Sequence, residues 1–418
     1  SSVINSAKET ALDVSTLRRD FPILFREMRG KPLIYFDNAA TSLKPQVVLD
    51  AEARYYTDYG SNIHRGVYQF SEEASELYDG TREKVAKMVR APKSHVIVFT
   101  RGATESLNIV AFGWGRDRLN PGDEIVITDV EHHANLVPWQ MLAEKTGAEL
   151  RYLQLDPETD EIDLEEADRM IGPKTKVVAA TGMSNVTGYM PPVAELFKRG
   201  RAVGAITVLD AAQLASHHHL DLSDGLVDFV SFSSHKMCGP TGVGVLVGSK
   251  ALLDSMEPLI YGGDMISRVR KSGTTFKEAP DRFEAGTPNI AGVFGLSAAV
   301  DYLDGIGLEA IADHERTLLA YAEERAQSYP DLIRYGSKDL SKRGGIFSFN
   351  IEGVHSHDVG TILDSEGIAV RTGMHCAHPY MQVLCIPGTT RASFYFYNTV
   401  EEVDRLFEGI DRVRRVFG

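Results

Sequence analysis

The sequence predicts an α/β protein: a large domain over residues 31–302, with a mostly parallel central sheet flanked by helices, and a smaller α+β domain over residues 303–418. Residues 1–30 are expected to pack with the smaller domain. Three observations predict this. Between residues 95 and 247, short β-branched runs alternate with stretches of helical period, the pattern of βα units winding a parallel sheet. Near Asn289 the alternation gives way to two long helical patterns, after which strands and helices come in mixed order. The chain has 418 residues, 43% hydrophobic and 24% charged, which is apolar material for more than one core.

Taken in order, residues 13–26 read as a short helical segment interrupted at Pro22. Residues 31–41 (KPLIYFDNAAT) run from a strand into a polar turn, the kind of loop that lines a pocket. Apolar positions recur at helical spacing from 71 to 89. Strands are expected at 95–100, 124–128, 149–155, 176–181 and 206–210, with helices at 104–114, 133–146, 164–171 and 192–203 between them. Residues 225–232 (GLVDFVSF) are apolar enough for a buried strand, and 243–247 form another after a Gly/Pro turn. Helices at 290–303 and 308–328 mark the hinge region. Beyond them, 345–351, 368–372 and 392–397 read as strands and 356–366 and 400–416 as helices.

The net charge is −14 and basic residues form no long run, which argues against a nucleic-acid partner. No apolar stretch is long enough to span a bilayer, and the polar stretch 1–10 lacks the apolar core of a secretory signal, so a cytoplasmic protein with no membrane partner is expected. Cys238, Cys376 and Cys385 are too few and too irregularly spaced for a disulfide framework or a CxxC metal site. His217, His218 and His219 are adjacent on an expected strand and would point to opposite faces, so no metal site is expected there.

In an open parallel sheet, ligands sit outside the carboxyl ends of the strands. The residues just past those ends make a chemically coherent set. After 95–100 come small residues, Arg101 to Ser106, leading into a helix whose free N–H groups and dipole suit a phosphate, with Thr104 as the expected N-cap. After 124–128 comes His132, able to stack on a flat ring or move a proton. Asn185 lies past the strand 176–181, and Asp210 with Gln213 at the end of 206–210. Lys236 closes the series between two buried strands. Buried ammonium groups readily lose their charge, the state an amine needs to form a Schiff base with an aldehyde. A phosphate turn, an aromatic stacker, a carboxylate and a Schiff-base lysine at successive strand ends together describe a site for pyridoxal 5'-phosphate.

These residues resemble the class V aminotransferase-fold cysteine desulfurases, and within them the group II (SufS-like) branch. The resemblance covers nearly the whole chain, through FDNAAT at Phe36, NIHRGVY at Asn62, ATES at Ala103, EHHANLVPWQ at Glu131, SNVTG at Ser184, SSHKMCGPTGVG at Ser233, FEAGTPN at Phe283, RTGMHCAHPYM at Arg371 and TTRASFYFYNT at Thr389. It implies the fold type I architecture of pyridoxal-phosphate-dependent transferases. By that resemblance Lys236 carries the cofactor, Asp210 pairs with the ring nitrogen, Gln213 contacts the ring hydroxyl and His132 stacks on the ring. Thr104, Ser233 and His235 hold the phosphate, which Thr287 reaches from a second subunit of a homodimer. Asn185 and Arg391 position the substrate carboxylate, and Arg371 lies near the nucleophile Cys376 in the substrate site. The implied reaction converts L-cysteine to L-alanine with the sulfur left on Cys376 as a persulfide, delivered to an acceptor protein of the SufE or SufU type for iron–sulfur cluster assembly.

The chain departs from the family pattern at Met374, where a second histidine is common, and at Cys238, where a bulkier residue is common. His357 lies in a stretch that, in members with a zinc-bearing acceptor, offers a histidine to the partner; on sequence alone it reads as an exposed loop histidine. Two other readings stay open: a lyase of the same fold, including one acting on L-selenocysteine, and a non-catalytic scaffold for sulfur-transfer components.

Overall fold

The computed structural model describes residues 12–418; the polar stretch 1–10 lies outside the described residues. At the centre is a seven-stranded sheet of β1 (His95–Thr100), β2 (Glu124–Thr128), β3 (Glu149–Leu153), β4 (Thr175–Thr181), β5 (Ile206–Asp210), β6 (Phe229–Ser233) and β7 (Gly244–Ser249), in the order β1-β7-β6-β5-β4-β2-β3. β5 pairs in parallel with β4 and β6, and β2 with β3 and β4, whereas β7 runs antiparallel to both of its neighbours. Both faces are covered, which is why the strands read as unbroken apolar runs. Val98, Ile125, Val177 and Val208 pack on Leu107, Val110, Trp139 and Leu142 of the helices Ala103–Gly115 and Val137–Thr146. Their sequence neighbours Ile97, Val126, Val178 and Leu209 point the other way, into a cluster with Tyr78, Val85, Phe197 and Leu296.

A second, four-stranded sheet holds β8 (Leu332–Arg334), β9 (Ile346–Ile351), β10 (Arg371–Gly373) and β11 (Thr389–Ser393), antiparallel throughout in the order β8-β9-β11-β10. Phe347, Phe349, Leu363, Leu406 and Phe407 join it to the helices Ser356–Ser365 and Val400–Phe417 in a core of their own. The last helix starts from a capping box in which Thr399 and Glu402 each satisfy the other's backbone N–H. The N-terminal segment touches both parts of the molecule, Phe21 packing in the main core and Arg18 pairing with Glu402 at 3.3 Å. Ile34–Tyr35 pairs in parallel with Ile368–Ala369, Arg18 donates to the Tyr397 carbonyl at 2.6 Å, and the Phe21 ring lies 4.7 Å from that of Tyr397.

Three local expectations change. The strand expected at 392–397 ends at Ser393: the chain turns at 395–398, where the Asn398 N–H donates to the Tyr395 carbonyl at 3.0 Å, although all four aromatic rings stay buried. Residues 368–372 split at Val370, the first half pairing with residues 34–35 and the second with β11. His217 ends a short helix, Leu214–His217, rather than lying in a strand, and its Nδ1 is 2.5 Å from the buried Glu315 carboxylate. Among the described residues no group of three or more His, Cys, Asp or Glu side chains is arranged to hold a metal ion, and no single helix is long and apolar enough to cross a membrane.

Gly244 shapes the edge from which the site is built. A Cβ there would lie 2.4 Å from the Gly102 Cα, inside the turn after β1. Gly244→Ala is therefore expected to lower the unfolding free energy by about 1–3 kcal/mol, as overpacking against backbone does, measured by denaturant unfolding; an unchanged midpoint would show that the turn yields freely.

Candidate active site

The carboxyl ends of β2, β4, β5 and β6, with the turn after β1, open on one cavity of about 310 Å³, within the roughly 300–1,000 Å³ usual for a cofactor or ligand site. Of the twelve residues expected from sequence, Thr104, His132, Asn185, Asp210, Gln213, Ser233, His235, Lys236, Arg371, Cys376 and Arg391 line it. Thr287 does not. Its hydroxyl accepts from the Asn62 amide at 3.1 Å, outside the cavity of its own chain.

At one end the turn after β1 presents the first residues of the helix Ala103–Gly115. Thr104 is not the cap expected: Gly102 holds that position, without a side chain to offer, and Thr104 lies in the first turn. The Ala103 N–H instead donates to the Ser233 hydroxyl at 2.8 Å, so the helix start is satisfied from β6 across the sheet. First-turn N–H groups and the helix dipole favour an anion at this end. The His235 ring, 3.1 Å from the Thr41 hydroxyl, is pushed down to about 4 by burial and by the charges of Lys236 and Lys44, so it is neutral at pH 7.

β6 passes through a single 3-10 turn, Ser234–Lys236, which delivers the lysine. The carbonyl of His235 is held there by the Ser42 N–H (3.0 Å), the hydroxyls of Thr41 and Ser42 (3.0 Å each) and the Lys44 ammonium (2.5 Å). The Lys236 amine makes no hydrogen bond or ion pair among the described residues. Burial pushes it down to about 8, opposed by the Asp210 carboxylate and reinforced by Arg391. Asp210 closes β5, its Oδ1 accepting from the Ala212 N–H at 3.1 Å; burial raises its carboxyl above the usual carboxylate range while Lys236 pulls it back.

His132 stands over the cavity from the β2 side. Its Nδ1 accepts from the Ala134 N–H at 3.0 Å, which assigns the ring proton to Nε2, and burial holds its pKa down to about 3. Beneath it, the fully buried Glu131 accepts from the Thr128 hydroxyl, the Asn135 amide and the Thr181 N–H, and burial pushes it up to about 8.

The opposite wall comes from the small sheet. Arg391 on β11 is 2% exposed, donates through Nη1 to the Asn185 carbonyl at 2.9 Å, and is pushed down to about 10 by burial. Cys376 lies in the loop after β10 and is exposed. It and His375 both have positive φ, 54° and 56°, a left-handed conformation that costs non-glycine residues on the order of 1–3 kcal/mol each. Contacts from the central-sheet side hold the loop there: the Asn185 amide donates to the His375 carbonyl at 2.6 Å, and the His133 N–H to the Cys376 carbonyl at 2.8 Å. Arg371, expected beside the nucleophile in the substrate site, lines the cavity but donates by a two-pronged contact to Asp37, Nε to Oδ1 at 3.1 Å and Nη2 to Oδ2 at 2.9 Å. Met374 packs against the main core, and Cys238 is buried with its thiol pushed up to about 12, which leaves it inert.

Sequence reasoning missed Asp37, Glu131 and Lys44. Asp37 ends a short apolar run, as Asp210 does, and that pattern was the available signal; Glu131 and Lys44 carry none apart from their tertiary partners. In the cavity wall, Gln213 Oε1, Asn185 Oδ1 and Arg391 Nε are buried without a partner among the described residues, which costs stability unless a ligand supplies one. An anion-ready helix turn, a neutralisable amine, a strand-end carboxyl and unpaired amide and guanidinium atoms form a donor set that fits pyridoxal phosphate.

Comparison with known proteins agrees with this geometry. The Aminotransferase class-V profile matches residues 34–406. A probable cysteine desulfurase of Streptomyces coelicolor is 48% identical over 414 residues, 97% of this chain and 98% of its own length. A cysteine desulfurase of Haloferax volcanii is 45% identical over 419 residues, 97% of this chain and 98% of its own. Among solved structures, the cysteine desulfurase of Thermococcus onnurineus NA1 has a TM-score of 0.91 at 41% identity, covering 97% of this chain and 100% of its own. The cysteine desulfurase CsdA of Escherichia coli has a TM-score of 0.89 at 39% identity, covering 98% and 100%. A catalytic cavity of this composition, in a chain that matches these enzymes from end to end, means that it belongs to the class-V aminotransferase family, among the pyridoxal-phosphate-dependent cysteine desulfurases.

Proposed function

We propose that Cys376 receives the sulfur of L-cysteine as a persulfide and passes it to an acceptor protein of the SufE or SufU type for iron–sulfur cluster assembly, as a group II (SufS-like) enzyme. One observation carries this reading: Lys236 and Cys376 line the same cavity. The exposure of Cys376 supports delivery, since a partner can reach a thiol at the rim.

When bound, pyridoxal phosphate supplies an aldehyde for the substrate amine and a ring that takes up the electrons released at Cα. Lys236 would hold it covalently, Asp210 at the ring nitrogen, Gln213 at the ring hydroxyl and His132 against the ring face. Thr104, Ser233 and His235 would hold its phosphate at the helix start. Thr287 of a second copy would complete that end in a homodimer; the exposed Val67, Tyr68 and Phe70, a few residues beyond Asn62, form an apolar run suited to cover by another copy. Arg391 would take the substrate carboxylate through its unpaired Nε, with the Asn185 carbonyl fixing the guanidinium from behind.

With a pKa near 8, the released Lys236 amine can accept the Cα proton at neutral pH. The Cys376 sulfur then attacks the substrate sulfur. The new S–S bond forms as the Cβ–S bond breaks, and the electron pair of that bond leaves with the carbon fragment. A proton delivered to Cβ, together with return of the Cα proton from Lys236, completes alanine, and the Nε2–H of His132 would serve the first of these transfers.

Cys376→Ser is expected to keep the cofactor absorbance and lose persulfide and alanine formation from cysteine by at least about 10²-fold, with selenocysteine assayed in parallel. Full persulfide output from that variant would sink the assignment. A second expectation concerns pH. The Lys236 amine is protonated below about 8 and neutral above it, against an ordinary value of 10.5. The rate at which apoprotein recaptures pyridoxal phosphate should therefore rise with pH and level off above about 8. Asp210→Asn removes the charge that favours the ammonium, so its midpoint should move to lower pH; a midpoint near 10.5 in the native chain would contradict the burial argument.

A further inference from the structure

Cys376 sits in a left-handed loop, and one residue of the central-sheet side grips that loop at two points. The His133 N–H donates to the Cys376 carbonyl at 2.8 Å, and the His133 ring accepts the backbone N–H of His378 on Nε2 at 3.1 Å. The two contacts bracket Ala377, which is fully buried in the main core. His378 opens the short helix His378–Leu384, and Ala377 before it has no polar side chain to cap the first N–H, so an imidazole from a distant segment does so. A backbone N–H can only donate, so Nε2 of His133 carries no proton; His378 Nδ1, 2.8 Å from that same nitrogen, then carries one. The two rings are stacked, with centroids 4.6 Å apart.

The turn that carries His133 is itself fixed. In the single 3-10 turn His133–Asn135, the Asn135 amide donates to the buried Glu131 carboxylate at 2.7 Å and Asn135 Oδ1 accepts from the Trp139 indole at 2.9 Å. Glu131 is tied in turn to the end of β4 by the Thr181 N–H at 3.1 Å. Support of this kind is what holds a reactive group in a productive place.

We propose that His133 is a positioning residue for Cys376: while its ring is neutral, main chain and imidazole together clip residues 376–378 to the central sheet, and on protonation the ring lets go, so that the thiol loses its fixed place at the cavity. The proposal rests on the reading of Cys376 as the sulfur acceptor. A proton on Nε2 would face the His378 N–H donor to donor, and its charge would sit at the start of a helix, where the dipole opposes it. The titratable groups facing the ring are His378, stacked on it, and His132 on its own turn, 6.3 Å away between centroids. Among the described residues no charged side chain of the helices Ala103–Gly115 and Val137–Thr146, which pack on the same turn, bears on it. Burial and the charge of His378 both hold His133 below its ordinary 6.5, so the clip is closed at pH 7 and opens as the pH falls below that value.

The test compares two rates in holoenzyme. One is single-turnover persulfide formation on Cys376 from L-cysteine, read by alkylation and mass spectrometry. The other is exchange of the Cα hydrogen of L-alanine with deuterated water, which calls on Lys236 and not on the thiol. His133→Ala is expected to lower the ratio of the first to the second about tenfold near neutral pH, with cofactor absorbance unchanged. His133→Gln offers an uncharged amide oxygen to the His378 N–H; it should keep the native ratio at neutral pH and exceed it several-fold about two pH units lower. His378→Ala leaves the backbone donor and removes the charge that keeps His133 neutral, so its ratio should begin to fall at a higher pH than the native one. Protonation of the thiol acts on every variant alike, so the differences between variants are the readout. An unchanged ratio in His133→Ala overturns the proposal. So does a His133→Gln ratio that falls with acid as the native one does, and this second comparison stands even where His133→Ala does not fold. A native enzyme that never forms persulfide on Cys376 would refute the sulfur-acceptor reading instead. The clip is then decided by hydrogen exchange at the His378 amide, corrected for its intrinsic rate: protection lost with acid in the native chain and kept in His133→Gln supports it, and equal protection in both overturns it.

Discussion

Burial disfavours the ammonium form of Lys236, and much of the chain is arranged so that this amine stays out of water without a partner that would fix its charge. Asp210 pulls it towards the ammonium, Arg391 pushes it away, and the balance leaves the amine lowered to about 8. The position of the group is secured through its neighbour rather than through itself. Four donors from residues 41–44 converge on the carbonyl of His235, so the turn is rigid while the amine beside it is unbound. A hydrogen-bonded lysine would be better anchored and less reactive.

The segment from Asp37 to Lys44 therefore does more than line a pocket. Asp37 faces the arginines of the small sheet, the Ala39 carbonyl accepts from Gln213 at 2.7 Å, Thr41 meets the His235 ring, and Lys44 reaches the His235 carbonyl. The segment follows directly on the strand Ile34–Tyr35, which pairs with residues 368–369. It links the wall that carries Cys376 to the wall that carries Lys236, and the placing of thiol against amine depends on it. The left-handed pair His375–Cys376 is sustained by the same convergence, since Asn185 and His133 hold its carbonyls from the other side.

Much of this was legible in the sequence. β-branched runs ending in Thr, Asp or Ser mark both the strands and the edge at which ligands gather, so His132, Asp210 and Lys236 could be placed together before any contact was known. The expectations that failed did so for identifiable reasons. Thr104 has the composition of a cap, but the Ser233 hydroxyl, 130 positions away, takes the helix N–H instead. The aromatic run 394–397 has strand propensity, but the chain closes a turn there, the Asn398 N–H meeting the Tyr395 carbonyl. The charge of Arg371 could be read; its capture by Asp37 could not, because the two lie 334 positions apart.

Taken alone, the sequence determined the order of βα units, the chemistry at the strand ends and the family, because local periodicity and contiguous motifs record backbone shape and side-chain type. Only the tertiary structure decided protonation and pairing: which amine is buried without a partner, which imidazole nitrogen holds the proton, and which guanidinium is spent on an internal carboxylate. Those properties arise from desolvation and from contacts between distant segments, and both come into being when the chain closes on itself.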